Sequence, residues 1–347
     1  MQKENITENQ IDQTAQRNAF YAFVISYIVV CLFSFLLKQY VALNNLSLSI
    51  SIIVMSFFVP LITFFVYGRN RIRALSDRRK RTKTGTFTSM LIITLAFSVA
   101  SVFAGATFSI FFSKAFKEFI YDPYSFSFWI SLSVTVWIFV YTKLAQRIAI
   151  KDIVNLIGFY LIGGVATSAI FNPNPKWWDE SVSYLGMNQL PSSKIFNASI
   201  IVSGLLLLTL SSFIINEFTR LYQDKKLQKE YLTFYSIAFV IAPIGLACVG
   251  FFPFGINDIQ NMIHNLSAYT AFGIFGIIMA SLYFSMKFLS KYFMRINYLL
   301  LAAMITGFAL YGLEYFTLAI NEIFAFGVVS IWLVFFLNNI SSVGNDK

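Results

Sequence analysis

The chain has 347 residues, of which 57% are hydrophobic, 18% are aromatic and only 12% are charged, and its formal net charge is +10 at pH 7. Soluble domains carry roughly 25% charged residues, so this composition excludes a soluble protein and indicates an integral membrane protein. Apolar runs recur along the whole sequence and leave no soluble module that would bind nucleic acid through the excess of positive charge.

Ten segments are long enough to cross a bilayer, because a spanning helix needs about 20 mostly apolar residues. The runs are continuous and lack the alternation of barrel strands, so the predicted fold is an all-α polytopic transmembrane helix bundle. In chain order the predicted helices cover residues 20–37, 47–67, 87–112, 125–142, 153–171, 196–216, 232–252, 264–286, 296–313 and 323–338.

The distribution of basic residues predicts the orientation of the chain. With the N-terminus inside, most of the 26 Lys and Arg residues face the cytoplasm, and both termini are then cytoplasmic. The predicted organisation is a tail at 1–19, a four-helix region at 20–142 with a basic loop at 68–86, a six-helix domain at 150–340 and a tail at 341–347.

The basic run from Arg69 to Lys83 also has a predicted partner. Clustered cytoplasmic Lys and Arg side chains attract anionic lipid headgroups, at about 1 kcal/mol each near the surface. The alternative is a solvated stop signal between two helices. A membrane protein partner is compatible with either interpretation.

Two polar loops interrupt the apolar sequence of the second half: a first polar loop at 172–195 and a second polar loop at 253–264. The predicted topology places both on the outer face. In the first, two Trp residues typical of the membrane interface precede the polar residues Asp179, Glu180, Ser181 and Ser183, and Pro191 is a start signal for helix six.

The second polar loop begins where Pro253 ends helix seven, carries Asp258, and closes on His264 and Asn265, which are predicted to open helix eight. His264 is the only histidine of the chain. Since both loops join helices of one bundle on one face, we expect their polar groups to converge on an outer-face pocket.

These motifs resemble the bacterial membrane family called domain of unknown function 998, over residues of about 150–340. More distantly they are similar to the eukaryotic Frag, DRAM and Sfk membrane proteins. The elements that carry the resemblance are Ser181-x-Ser183-x-Leu185-Gly186, Pro191, Phe196-Asn197, Gly250-Phe251-x-Pro253 and His264-Asn265-x-x-Ala268.

The resemblance implies a six-helix core without an agreed activity, and its eukaryotic relatives are associated with lipid remodelling, lipid organisation and autophagy. Glu314 and Glu322 loosely match acids near the last helix of the family. The resemblance and the chemistry of the two polar loops together indicate a set of ligand-binding residues. They are Asp179, Glu180, Ser181, Ser183, Gly186, Phe196, Asn197, Pro253, His264 and Asn265.

Three function classes remain open. A hydrolase or transferase would use Ser183 or Ser181 as nucleophile and His264 as base. Asp258 or Asp179 would orient the histidine, but the sequence has no nucleophile-elbow pattern. One histidine cannot form a multi-histidine metal site, and no cofactor is expected. A transporter of lipids or small molecules usually carries ionisable groups at mid-membrane, and the acids here lie near helix ends.

The sequence therefore favours non-catalytic binding or handling of a lipid or lipid-linked headgroup over catalysis and over transport. The expected location is a plasma membrane. Richness in Phe, Ile, Asn and Lys is typical of an AT-rich bacterial genome.

Overall fold

A computed structural model of the chain describes residues 8–38, 43–77, 83–117, 119–187 and 190–342. Within these ranges, 10 helices are long and apolar enough to cross a membrane, which confirms the predicted all-α polytopic fold. The chain is thus a multi-pass membrane protein. The predicted tails and the basic loop fall partly outside the described residues, at 1–7, 343–347 and 78–82.

The helices extend beyond most of the predicted spans, because hydropathy detects only the part of a helix that is apolar enough to enter the bilayer. The clearest cases are α2, which continues past the predicted end at 67, and α6, which begins at Pro191 as its start signal predicts. The ten helices are α1 Glu8–Lys38, α2 Asn45–Asp77, α3 Lys83–Ala115, α4 Pro123–Arg147, α5 Ile150–Ile170, α6 Pro191–Gln223, α7 Lys229–Phe251, α8 Asp258–Ser285, α9 Lys291–Gly312 and α10 Leu318–Ser342.

The chain folds as two compact units, residues 1–149 and residues 150–347. In the first unit, α4 packs against α1 and α2, and α2 also packs against α3. Apolar side chains of α2, α3 and α4 form one cluster. Asp12 of α1 accepts a hydrogen bond from Arg147 of α4 at 2.8 Å and lies 2.9 Å from the Lys143 ammonium, which fastens these two helices at one end.

In the second unit, α6 lies between α5 and α7, and α8 follows α7. The helices pack closely where they carry small residues. This is usual in membranes, because the hydrophobic effect does not drive helices together in lipid. A Cβ atom added at Gly204 of α6 would lie only 2.6 Å from the backbone nitrogen of Ala247 in α7. One at Gly164 of α5 would lie 2.3 Å from the Cβ of Ser199.

Aromatic rings fill the interior of the second unit. Phe239 of α7 stacks on Phe336 of α10 with a centroid distance of 5.8 Å, and Trp332 stacks on the same Phe336 at 4.7 Å. The buried Asn297 of α9 accepts a hydrogen bond from the Trp332 indole at 2.8 Å and donates one to the Met279 carbonyl of α8 at 2.9 Å. These bonds join α8, α9 and α10 and satisfy the polar atoms that the packing buries.

Candidate functional site

The two polar loops meet at one end of the six-helix unit, which we call the loop end. The first polar loop folds into two short 3-10 helices, Trp177–Asp179 and Val182–Gly186, before α6 begins. Ser181 starts the second of them, since its side-chain oxygen accepts a hydrogen bond from the Tyr184 N–H at 3.1 Å. This turn aims the partly exposed Ser183 at α8.

Ser183 meets the only histidine of the chain. The Ser183 Oγ lies 2.9 Å from the Nε2 of His264, and His264 is only 3% exposed. On the other side of the ring, the Nδ1 lies 3.1 Å from the Val249 carbonyl oxygen and 2.9 Å from that of Phe252. Both carbonyls can only accept, so Nδ1 carries the proton, and in the neutral ring Nε2 accepts from the Ser183 hydroxyl.

Pro253 explains why these carbonyls are free to bind the ring. In a continuing helix the Val249 carbonyl would accept from the N–H of residue 253, and proline has no N–H. The Phe252 carbonyl lies just past the last residue of α7, where helical partners run out. Pro253 therefore frees the Val249 carbonyl, which with the Phe252 carbonyl fixes the tautomer of His264.

The structure corrects two expectations for the second polar loop. Helix α8 begins at Asp258, before His264, because the side chain of Asn257 caps it by accepting from the Gln260 N–H at 2.9 Å. Asp258 is exposed in the first turn of α8, and backbone carbonyls occupy the position at Nδ1 where a catalytic triad places a carboxylate.

The acid that does enter the site is Glu322, one turn into α10. Its carboxylate accepts a hydrogen bond from the Val182 N–H at 2.6 Å and another from the N–H of Ser183. Two successive N–H groups at the start of a short helix form a typical anion-binding arrangement. We call Ser183, His264 and Glu322 the polar cluster. It joins the first polar loop to α8 and α10.

Sequence reasoning gave Glu322 too little weight. Its position was linked only loosely to the family pattern, and the acids chosen from chemistry were Asp179 and Glu180, which are exposed. A better signal was available, because a lone acid inside an otherwise apolar spanning helix marks a functional position by default. The carbonyl acceptors of His264 belong to the backbone, and Pro253 is the only residue in the sequence that points to them.

Three other expected residues pack the first polar loop onto α6. The Asn197 amide donates to the Gly186 carbonyl at 3.0 Å, and a Cβ atom at Gly186 would lie 2.3 Å from the Asn197 Oδ1. Phe196 is 3% exposed and lies beside the same glycine. Only glycine lets the first polar loop come this close to α6. The contact fixes the position of the loop and therefore of Ser183 in the polar cluster.

The second polar loop packs against the first. Gly255 has a φ of 87°, which disfavours other residues, and a Cβ atom there would lie 2.4 Å from the Met187 side chain. The Asn261 side chain holds the turn by accepting from the Gly255 N–H at 2.7 Å. The remaining expected residues lie outside the polar cluster, since Asn265 is exposed and Pro253 is partly exposed at the end of α7.

An apolar cavity of about 50 Å³ lies deeper along the same helices. Its lining includes Ala271 and Phe275 of α8 and Phe326 and Val329 of α10. Ala271 follows His264 by two helical turns, or roughly 10 Å along the axis. Phe326 follows Glu322 by about one turn. The polar cluster and the apolar cavity are thus stacked along α8 and α10.

Comparison with known proteins places the six-helix unit in a family. The model of a family described as protein of unknown function (DUF998) matches residues 153–337, just over half of the chain. Neither the curated proteins nor the solved structures gave a significant match.

Proposed function

The chain belongs to the DUF998 family, and we propose that its six-helix unit binds the headgroup of a single lipid or lipid-linked molecule at the polar cluster. The observation that carries this proposal is the stacking of the polar cluster over the apolar cavity on α8 and α10. A lipid has the same arrangement, because its polar headgroup is followed by an apolar acyl chain. The predicted topology puts this site in the outer leaflet.

The polar atoms of the cluster suit a headgroup that both donates and accepts hydrogen bonds. Ser183 is partly exposed and can turn its hydroxyl from His264 to a ligand. The exposed carboxylates of Asp179 and Glu180 follow two Trp residues, which favour the bilayer interface. They favour an amine on the headgroup. The apolar cavity is small, so an entering acyl chain would have to separate α8 and α10 locally.

Native mass spectrometry of the purified full chain tests this proposal. We expect the wild type to retain a lipid, and His264→Ala and Asp179→Asn to retain less of it. Lys194→Gln is the matched control, since this exposed lysine lies in the first turn of α6 at the same end of the unit. Equal lipid in all variants, or no lipid in the wild type, would refute headgroup binding here. Melting curves confirm that each variant folds.

A second candidate is supported by one observation, the 2.9 Å contact of Ser183 Oγ with an Nε2 that has its lone pair free to accept a proton. This is the geometry of a nucleophile and its general base. A serine hydrolase or acyltransferase would use Ser183 to attack an ester carbonyl. His264 would take the hydroxyl proton and return it to the alcohol that leaves. Against it, the Val182 and Ser183 N–H groups, which would stabilise an oxyanion, already bind Glu322.

A fluorophosphonate probe separates binding from catalysis. An activated Ser183 would be labelled, and labelling would disappear in Ser183→Ala and in His264→Gln but persist in Ser181→Ala. The binding proposal predicts no labelling of any of these proteins. Site-specific labelling of Ser183 would establish the enzyme.

A further inference from the structure

A second cavity lies at the opposite end of the six-helix unit, which we call the lysine end. It has a volume of about 430 Å³, within the range of roughly 300 to 1,000 Å³ that is typical of small-molecule sites. It opens between the turn that joins α6 to α7 and the turn that joins α8 to α9. Its lining residues include Lys225, Lys226 and Lys287.

Among the described residues, every charged residue that lines this cavity is a lysine. Asp224, which caps the end of α6, and Glu230, in the first turn of α7, are not part of its lining, and no other described carboxylate lines it. Phe284 and Phe288 supply an apolar wall beside the lysines. A ligand that fits here carries negative charge and also tolerates contact with hydrocarbon.

The start of α7 adds to the attraction for an anion. Gln228 is the N-cap residue of α7, it lines the cavity, and its side chain makes no capping hydrogen bond. The first N–H groups of a helix have no helical acceptor, and the helix dipole places partial positive charge there. Tyr231 on the same turn contributes a phenol to the lining.

The turn after α6 puts Lys225 in the left-handed conformation. Its φ is 57°, and the turn closes through the bonds of Lys225 N–H to the Tyr222 carbonyl at 3.0 Å and of Lys226 N–H to the Leu221 carbonyl at 2.8 Å. This helix-ending turn strongly favours glycine at the left-handed position. Glu314, at the end of α9 and outside the cavity lining, has a φ of 64° in the same kind of turn, so the conformation ends a helix and does not by itself mark a site.

We propose that the cavity at the lysine end binds a phosphate-bearing anionic headgroup. It differs from the polar cluster in position, in charge and in ligand. The distribution of basic residues places the lysine end on the cytoplasmic side, where anionic lipids are abundant. A membrane lipid and a soluble phosphate ester present the same phosphate chemistry, and the experiment distinguishes the two.

The test measures phosphatidylglycerol binding to the full chain by native mass spectrometry in mixed micelles. The cavity variant is Lys225→Gln, Lys226→Gln, Lys287→Gln. The matched control is Lys229→Gln, Lys291→Gln, Arg295→Gln, which removes as much charge from exposed residues of α7 and α9 outside the cavity lining. A second arm adds glycerol 3-phosphate to the protein in phosphatidylcholine nanodiscs and records the melting temperature.

We expect the cavity variant to bind phosphatidylglycerol at least about tenfold more weakly than the wild type, and the control less than about twofold more weakly. A rise in melting temperature with glycerol 3-phosphate that the cavity variant loses would identify a soluble phosphate ester as the ligand. Equal loss in both variants would show only bulk surface attraction and would overturn the proposal, as would a lack of any lysine-dependent effect in either arm.

If the cavity variant does not fold, Lys225→Gly tests whether the cavity at the lysine end binds phosphatidylglycerol. Glycine relieves the left-handed backbone, so this variant should melt at or above the wild-type temperature and still bind phosphatidylglycerol about threefold more weakly. Unchanged binding in a stable Lys225→Gly protein would then overturn the proposal.

Discussion

The ring of His264 is held by backbone carbonyls on one side and by a serine hydroxyl on the other. This arrangement specifies the neutral ring with its proton on Nδ1. Because the chain has one histidine, labelling all histidine with ¹⁵N gives signals from this ring alone. We predict a protonated Nδ1 and an unprotonated Nε2 in the nitrogen spectrum at neutral pH.

The control for the tautomer prediction is Ser183→Ala, which should shift the Nε2 signal and leave Nδ1 protonated. A spectrum with the proton on Nε2 would contradict the hydrogen-bond assignment, and with it the role given to Pro253.

The hydrogen bonds of Glu322 predict how much its carboxylate contributes to stability. Glu322→Gln replaces a carboxylate that accepts two backbone N–H bonds with an amide whose NH₂ group cannot accept them. We expect a loss of about 1 to 3 kcal/mol in the free energy of unfolding, seen as a lower melting temperature. Glu314→Gln, at an exposed turn residue, should leave the melting temperature unchanged.

At the scale of helices, the contact of α6 with α7 depends on the absence of a side chain at Gly204. Gly204→Ala should force the two helices apart and cost about 1 to 3 kcal/mol. Gly163→Ala is the matched control, because a Cβ atom at Gly163 of α5 would meet nothing within 4 Å and alanine favours the helix. Equal melting temperatures for the two variants would contradict the packing described for α6 and α7.

The helices were predictable from the sequence because each has a long apolar run. Most of their polar ends were not predictable, although the start of α6 at Pro191 was. Hydropathy ended helix two at 67 and started helix eight at 264, and the structure extends both by backbone hydrogen bonding and capping. The site was predictable only in part. Ser183 and His264 were recognisable as side chains of the polar loops. The carbonyls of Val249 and Phe252 belong to the backbone, and the only residue that signals either of them is Pro253, which frees the Val249 carbonyl.

At the scale of the whole molecule, the distribution of Lys and Arg predicts that the loop end faces outside and the lysine end faces inside. Single cysteines at these ends test the prediction in intact cells, with Cys31 and Cys248 replaced by serine. Lys176→Cys should react with a membrane-impermeant maleimide, and Lys225→Cys should react only after the cells are opened. The reverse pattern would move the proposed headgroup site to the inner leaflet.

The central claim is that a lipid occupies the loop end of the six-helix unit. The most direct measurement is a density map of the full chain in lipid nanodiscs. We predict elongated density with its polar end beside the Ser183 hydroxyl and its apolar end beside Phe326, and weaker density in the His264→Ala protein. A map with no lipid density beside Ser183 or along the apolar cavity would contradict the claim.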